Sequence, residues 1–275
     1  MRHTDTFYAR IQTRCLRGAF VASCGLALVG CSDDDDDNGG LVGPPGSAEL
    51  PAQEALRAAL ETVVGNPPAG NGGLSLNMWA TIVDRSGIVR AVAFTGDKTG
   101  DQWPGSRVIS AQKANTANSF SLDGLALSTA NLFTATQPGG SLFGLQESNP
   151  VNTEAAYGGN ADDYGTVDDF MVGQRIGGVN VFGGGLALYN SAGEIIGAVG
   201  VSGDTSCADH NIGWKLRDAL GLDFVPGGVS ATGDDNIIYD IGVDGVSDGG
   251  FGHPECGAEA TAIGNNLPAT NPISD

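Results

Sequence analysis

Two short stretches hold most of the residues able to do chemistry: DTSCADH, which carries Cys207, Asp209 and His210, and GHPEC, which carries His253 and Cys256. Thiolate, imidazole and carboxylate together are the donors of a zinc site. Neither stretch has the paired short spacing of a zinc ribbon, and two cysteines in an oxidising compartment pair most simply with each other. A Cys207–Cys256 bond closes a loop of about 50 residues, for which the chain-entropy model gives about 4 kcal/mol. It would staple the C-terminal region to the start of the helix that follows Cys207. With both thiols consumed, only His210 and His253 remain as soft ligands, and the default role of each is capping or structural.

Immediately upstream, Gly197, Gly200 and Gly203 follow an apolar strand and precede a helix. Their G-x-x-G-x-x-G spacing is not that of a dinucleotide loop, which excludes NAD and FAD. A glycine-rich turn before a helix does leave backbone N–H groups free to meet an anion, a role that Asp209 can fill internally as the N-cap. The chain has no G-x-S-x-G elbow and no H-E-x-x-H. DGVSDGG, at Asp244 to Gly250, resembles a calcium loop only faintly and is explained by turn chemistry.

The elements that must position these residues are legible from periodicity. SAELPAQEALRAALETVVGNPP reads as one amphipathic helix, with Leu56, Ala59, Leu60, Val63 and Val64 at helical spacing. Strands are expected at Leu74 to Val83 and Ile88 to Phe94, and again at Gly184 to Tyr189 and Ile195 to Val201, each pair a hairpin. A second helix covers Ile109 to Phe120, where Ala111, Ala114 and Ala117 permit close packing on the sheet. A short helix spans Ser128 to Ala135. Glu147 to Arg175 shows no period and reads as a long surface loop or insertion. Ile212, Leu216, Ala219 and Leu220 mark the last helix, which stops at Gly221. The order predicts an α+β layered domain with a central antiparallel sheet. From Phe224 the chain turns rich in Gly, Asp and Asn, with one strand candidate, NIIYDIGV, and a polar tail. So few apolar residues suit an extension that wraps the domain, not an independent core.

Composition agrees: 44 glycines and only 16% charged residues in 275 favour turns and short strands. The N-terminus has a different purpose. Four arginines, Arg2, Arg10, Arg14 and Arg17, precede the apolar run GAFVASCGLALVG, a basic n-region and h-region of a secretory signal. LVGC, ending at Cys31, resembles the lipobox of bacterial lipoproteins, which implies cleavage before Cys31 and its acylation into a lipid bilayer. Asp33 to Asp37 and NGGLVGPPGS then form a self-repelling, extended tether. The expected division is 1–30 signal, 31–47 tether, 48–223 domain and 224–275 extension. Cleavage takes the net charge from −19 to about −22, a surface that repels phosphates and excludes DNA and RNA as partners.

SAQKANTANSF, PGGSLFG and GGLALYNSAGEIIGAVGVSGDTSCADHNIGWKLRDALG together resemble the GlcG/HbpS family of haem-binding proteins. Lys113, Ala114, Thr116 and Ala117 match its Lys-Ala-x-Thr-Ala helix. Gly197, Gly200, Val201, Ser202 and Gly203, with Asp209 beyond, match its Gly-x-x-Gly-Val-Ser-Gly hairpin. The resemblance spans about Ala48 to Asp223 and implies a profilin-like α/β/α fold, assembly into homo-oligomers, and haem as cofactor in some members. Haem needs an apolar slot, an iron ligand and cations for its propionates. Among this chain's own residues, His210 is the expected iron ligand with His253 second, and Lys113, Arg107 and the amides at Gly203 are the expected anion partners. The competing reading of Lys113 is an ion pair with Asp209. The expected function is an extracytoplasmic, lipid-anchored haem- or tetrapyrrole-binding protein. The alternatives are an enzyme acting on haem or a small organic acid, and a non-catalytic structural homo-oligomer.

Overall fold

The computed structural model describes residues 50–275; the signal segment, Cys31 and the tether lie outside the described residues. Four strands, β1 (Trp79–Asp84), β2 (Val89–Phe94), β3 (Gly185–Tyr189) and β4 (Ile195–Ser202), form one antiparallel sheet in the order β2-β1-β4-β3. The two hairpins meet through β1 and β4, with Trp79 opposite Ser202 and Asp84 opposite Gly197. Every residue of β1, β3 and β4 is buried, because both faces of the sheet are covered. That coverage explains why these strands are continuous apolar runs without alternation.

One face carries α1 (Gln53–Val64) and α6 (Ser206–Ala219). Leu56, Leu60 and Val64, one helical stripe, bury against Ala80, Ile82, Leu186, Val199 and Val201. The other face carries α2 (Ser106–Phe120), whose Ala111, Ala114 and Ala117 are fully buried against Val83, Val92 and Ala198. Small residues on both sides bring this helix very close to the sheet. A Cβ on Gly200 would stand 2.0 Å from the Ser110 carbonyl oxygen, and one on Gly185 2.5 Å from that of Lys113, so only glycine fits there. The result is the expected α+β architecture of helix, sheet and helix layers.

Four segments depart from the expectation. The first strand begins at Trp79 and not at Leu74. The helix expected at Ser128 to Ala135 is split into a 3-10 turn, Thr129–Leu132, and α3 (Phe133–Thr136). Of the two readings of the middle segment, the surface loop does not hold: the segment takes in the end of α4 (Leu145–Ser148) and all of α5 (Thr153–Tyr157), and Ala155, Ala156 and Met171, with Ile176 just beyond, join the α2-side core. Its apolar residues are too few and too scattered to reveal a period. In the extension, no strand forms at NIIYDIGV, and the polar tail instead holds α7 (Ala258–Thr270). Ala260, Ile263, Gly264 and Leu267 make a narrow i, i+3, i+4, i+7 stripe that the surrounding Asn, Gly and Pro obscure. α7 packs beside α6, where Asn211 Nδ2 donates to Ala260 O at 3.1 Å and Trp214 Nε1 to Asn271 O at 2.8 Å. No described helix is long and apolar enough to cross a membrane.

Candidate functional site

The start of α6 gathers the chemistry-bearing residues. β4 delivers the chain to Gly203, whose φ of +155° and close approach to Asn77 O, 2.7 Å from a hypothetical Cβ, demand glycine. Thr205 then caps α6 by accepting from Ala208 N–H at 3.3 Å. Asp209 is thus not the cap but a residue of the first turn, facing α2. Its Oδ1 accepts from Asp204 N–H at 2.9 Å, and Oδ2 accepts from Lys113 Nζ at 2.6 Å. Lys113 also donates to Val201 O at 3.0 Å. Both side chains are almost wholly buried. Burial lowers the Lys113 pKa and raises that of Asp209 to about 6, in each case against the attraction between them. The pair locks α2 to α6 at the end of β4.

Arg107, six residues earlier on α2, addresses a different partner. Its guanidinium grips the Asp169 carboxylate, donates to Ala156 O at 2.7 Å and lies 3.6 Å over the Tyr164 ring. It fastens the middle segment to the core. A third buried pair, absent from the sequence reading, joins Arg217 to Asp235 at 2.8 and 2.7 Å, with a further bond to Ala187 O. It anchors the extension to α6; in the sequence, Arg217 carried no signal beyond its place in the last turn of a helix.

His210 is fully buried. Its Nε2 lies 3.1 Å from Asn236 Oδ1 and 3.1 Å from the Ile237 N–H, while Nδ1 has no hydrogen-bond partner. Burial, acting first, lowers its pKa to about 3, so the ring is neutral. His253 lies on the other side of the α6 terminus. Its Nδ1–H donates to Pro254 O at 2.7 Å, so Nε2 accepts from the Ser206 hydroxyl, also at 2.7 Å. Burial lowers its pKa to about 4. Cys207 and Cys256 are joined as a disulfide, as expected, and His253 Nδ1 lies 4.0 Å from Cys207 Sγ.

The neutral state of His210 sets a pH dependence. Its folded pKa is depressed below the unfolded 6.5, so the associated stability is complete above about pH 6.5 and is lost as the pH falls towards about 3. Urea titrations of wild type and His210→Gln are expected to converge by about 2 kcal/mol between about pH 7 and pH 5. His253 has the same sign in both proteins and cancels. A gap that holds constant with pH would mean that His210 takes up its proton in the folded chain.

A three-layered α/β/α domain with a disulfide-stapled extension defines the class. The chain belongs to the HbpS-like family: the family model described as haem degrading protein HbpS-like matches residues 52–216. Two solved structures are similar. A Klebsiella pneumoniae protein, ORFY, of family model DUF336, is 24% identical with a TM-score of 0.41, covering 62% of this chain and 90% of its own. A PduOC–haem complex is 22% identical with a TM-score of 0.41, covering 60% and 89%. No curated protein matches the sequence.

Haem in the buried positions meets a chemical obstacle. Lys113 and Arg107 are each committed to a carboxylate, His253 uses both ring nitrogens, and the loop at Gly203 is closed by Asn77 and Met78. The one free ring atom, His210 Nδ1, is sealed from solvent. These five residues therefore do not fit haem in this arrangement: they are internal struts, with no free cation for a propionate and no accessible ligand for iron.

Proposed function

We propose that the chain is an extracytoplasmic, lipid-anchored protein that binds haem or a related tetrapyrrole, and that the ligand is held outside the buried residues of the α6 terminus. The observation that carries the reading is membership of the HbpS-like family over residues 52–216; the PduOC relative, solved with haem, is in keeping with it. The Cys207–Cys256 disulfide supports an oxidising compartment, in line with a signal segment and an acylated Cys31. Homo-oligomerisation is part of the same reading.

Haem added to the purified chain is expected to give a shifted Soret band that saturates at a fixed stoichiometry and persists in His210→Ala and His253→Ala. Loss of the shift in His210→Ala alone would place the iron in the interior and overturn the surface reading. No shift in any of the three would overturn haem binding. Mass spectrometry of the native protein should find Cys31 at the N-terminus with its acyl groups, and light scattering should return more than one chain per particle. The family description also favours a second reading, haem degradation. Bleaching of the bound-haem spectrum with release of iron under a reductant would select it, and a stable complex would select binding.

A further inference from the structure

The family match ends at residue 216, and the chain beyond it brings His253 and Cys256 to the start of α6. Cys207, His253 and Cys256 place two sulfurs and an imidazole nitrogen within 4.8 Å of one another. We propose that reduction of the Cys207–Cys256 bond turns this cluster into a site for a thiophilic divalent cation of the zinc type. The ligands are the two thiolates and His253 Nδ1.

Geometry comes first. Tetrahedral zinc, with bonds of about 2.3 Å to sulfur and about 2.0 Å to nitrogen, sets its ligand atoms roughly 3.5–3.8 Å apart. His253 Nδ1 already stands 4.0 Å from Cys207 Sγ. The two sulfurs must separate and the Pro254 carbonyl, now 2.7 Å from Nδ1, must turn away, and the freedom for both movements lies on one side. Cys207 is rooted in the first turn of α6 and fully buried, whereas Cys256 is exposed and is followed by Gly257. The exposed side also supplies an entry path and an open fourth position for water.

The surroundings suit thiolates and a neutral imidazole. The Cys207 N–H donates to Cys256 Sγ at 3.2 Å, and the N-terminus of α6 adds its positive end. Ser206 Oγ sits 2.7 Å from His253 Nε2 and is itself held by the Gly183 N–H at 2.7 Å. It therefore orients the ring from behind, as outer partners of ligating histidines do. At present Nδ1 carries the ring proton and donates to Pro254 O; ligation needs the other tautomer, in which Nε2–H donates to Ser206 Oγ, and the hydroxyl can serve either form.

The redox step balances with a dithiol as reductant. The S–S bond takes up two electrons and two protons to give two thiols, and the dithiol becomes a disulfide. Binding of the divalent cation then releases the two thiol protons, while the His253 proton moves from Nδ1 to Nε2. In oxidising surroundings the cluster is a staple, and in reducing ones it is a metal site. This inference does not rest on haem.

The test uses the full chain, reduced under anaerobic conditions, freed of reductant and titrated with Co²⁺. The reduced wild type is expected to show thiolate-to-cobalt charge transfer in the near ultraviolet and tetrahedral ligand-field bands, both abolished by one equivalent of Zn²⁺. The oxidised chain should show neither. Cys256→Ser removes an exposed thiol without disturbing the packed interior, and should halve the charge-transfer intensity. His253→Gln should change the ligand-field bands and weaken binding by tenfold or more, with circular dichroism confirming the fold. The proposal is overturned if the reduced wild type gives no tetrahedral bands. It is equally overturned if both variants retain the wild-type spectrum and affinity, which would assign the cobalt to Cys15, Cys24 or Cys31.

Discussion

Lys113→Met is expected to destabilise the domain by about 3–5 kcal/mol, the cost of stranding one partner of a buried ion pair. The substitution nearly conserves length and apolar stem, so the loss is electrostatic and not a cavity. It removes the donor at 2.6 Å from Asp209 Oδ2 and leaves that carboxylate, buried beneath α2, with the Asp204 N–H as its remaining donor. The sign of the pH dependence follows. Asp209 already has a folded pKa raised to about 6 above the usual 3.8, with burial the larger cause and Lys113 the main opposing one. Without Lys113 it rises further. A carboxyl with a raised folded pKa contributes stability at low pH that is lost as the pH climbs through the window between the unfolded and folded values. The penalty of Lys113→Met is therefore largest near pH 8 and shrinks towards pH 5, where a protonated Asp209 needs no counter-charge. Denaturant titrations at both pH values measure it. Lys113→Met combined with Asp209→Asn should recover most of the loss, since the amide oxygen still accepts from Asp204 N–H and no charge is stranded. A single variant that costs under about 1 kcal/mol at both pH values would mean that water reaches Asp209.

Replacing Cys207 and Cys256 together by serine is expected to cost about 4 kcal/mol, from the entropy of closing a loop across a sequence separation of 49 residues. The loss is expected to be concentrated in the extension. Without the staple, residues 224–257 are held by the Arg217–Asp235 pair, the His210–Asn236 contact and side-chain bonds such as Thr134 Oγ1 to Gly252 O. Much of the intervening backbone has no regular partner strand. Local opening there should precede global unfolding. Limited proteolysis should then cut the serine variant within the extension first, leaving a core of α1 to α6, while the oxidised wild type resists. Simultaneous loss of core and extension would show that the two unfold as one cooperative unit.

The layered core was legible because its elements are periodic and continuous. Leu56, Leu60 and Val64 repeat at helical spacing, the four strands are unbroken apolar runs, and the alanines of α2 can only belong to a tightly packed helix. The family signature lies in that same core, since Gly185, Gly200 and Gly203 stand where no Cβ fits. The disulfide was legible from cysteine arithmetic. The middle segment and α7 were not, because each buries a few small residues against surfaces that the rest of the fold provides. No local period can announce a partner that is hundreds of atoms away along the chain.

Residue types and spacing by themselves determined the helix–sheet–helix order and the chemical inventory at the α6 terminus, and the resemblance of its motifs pointed to the family. Only the tertiary structure decided how that inventory is spent. A lysine and an arginine are as able to hold an anionic ligand as to neutralise a neighbouring aspartate, and a histidine is as able to bind iron as to fill a core. The choice depends on what lies within about 3 Å, where a hydrogen bond is made or lost. Here Asp209 and Asp169 reach the cations first, and Asn236 closes over His210. Contacts between residues up to 96 positions apart settled the matter, and a linear pattern carries no such distances.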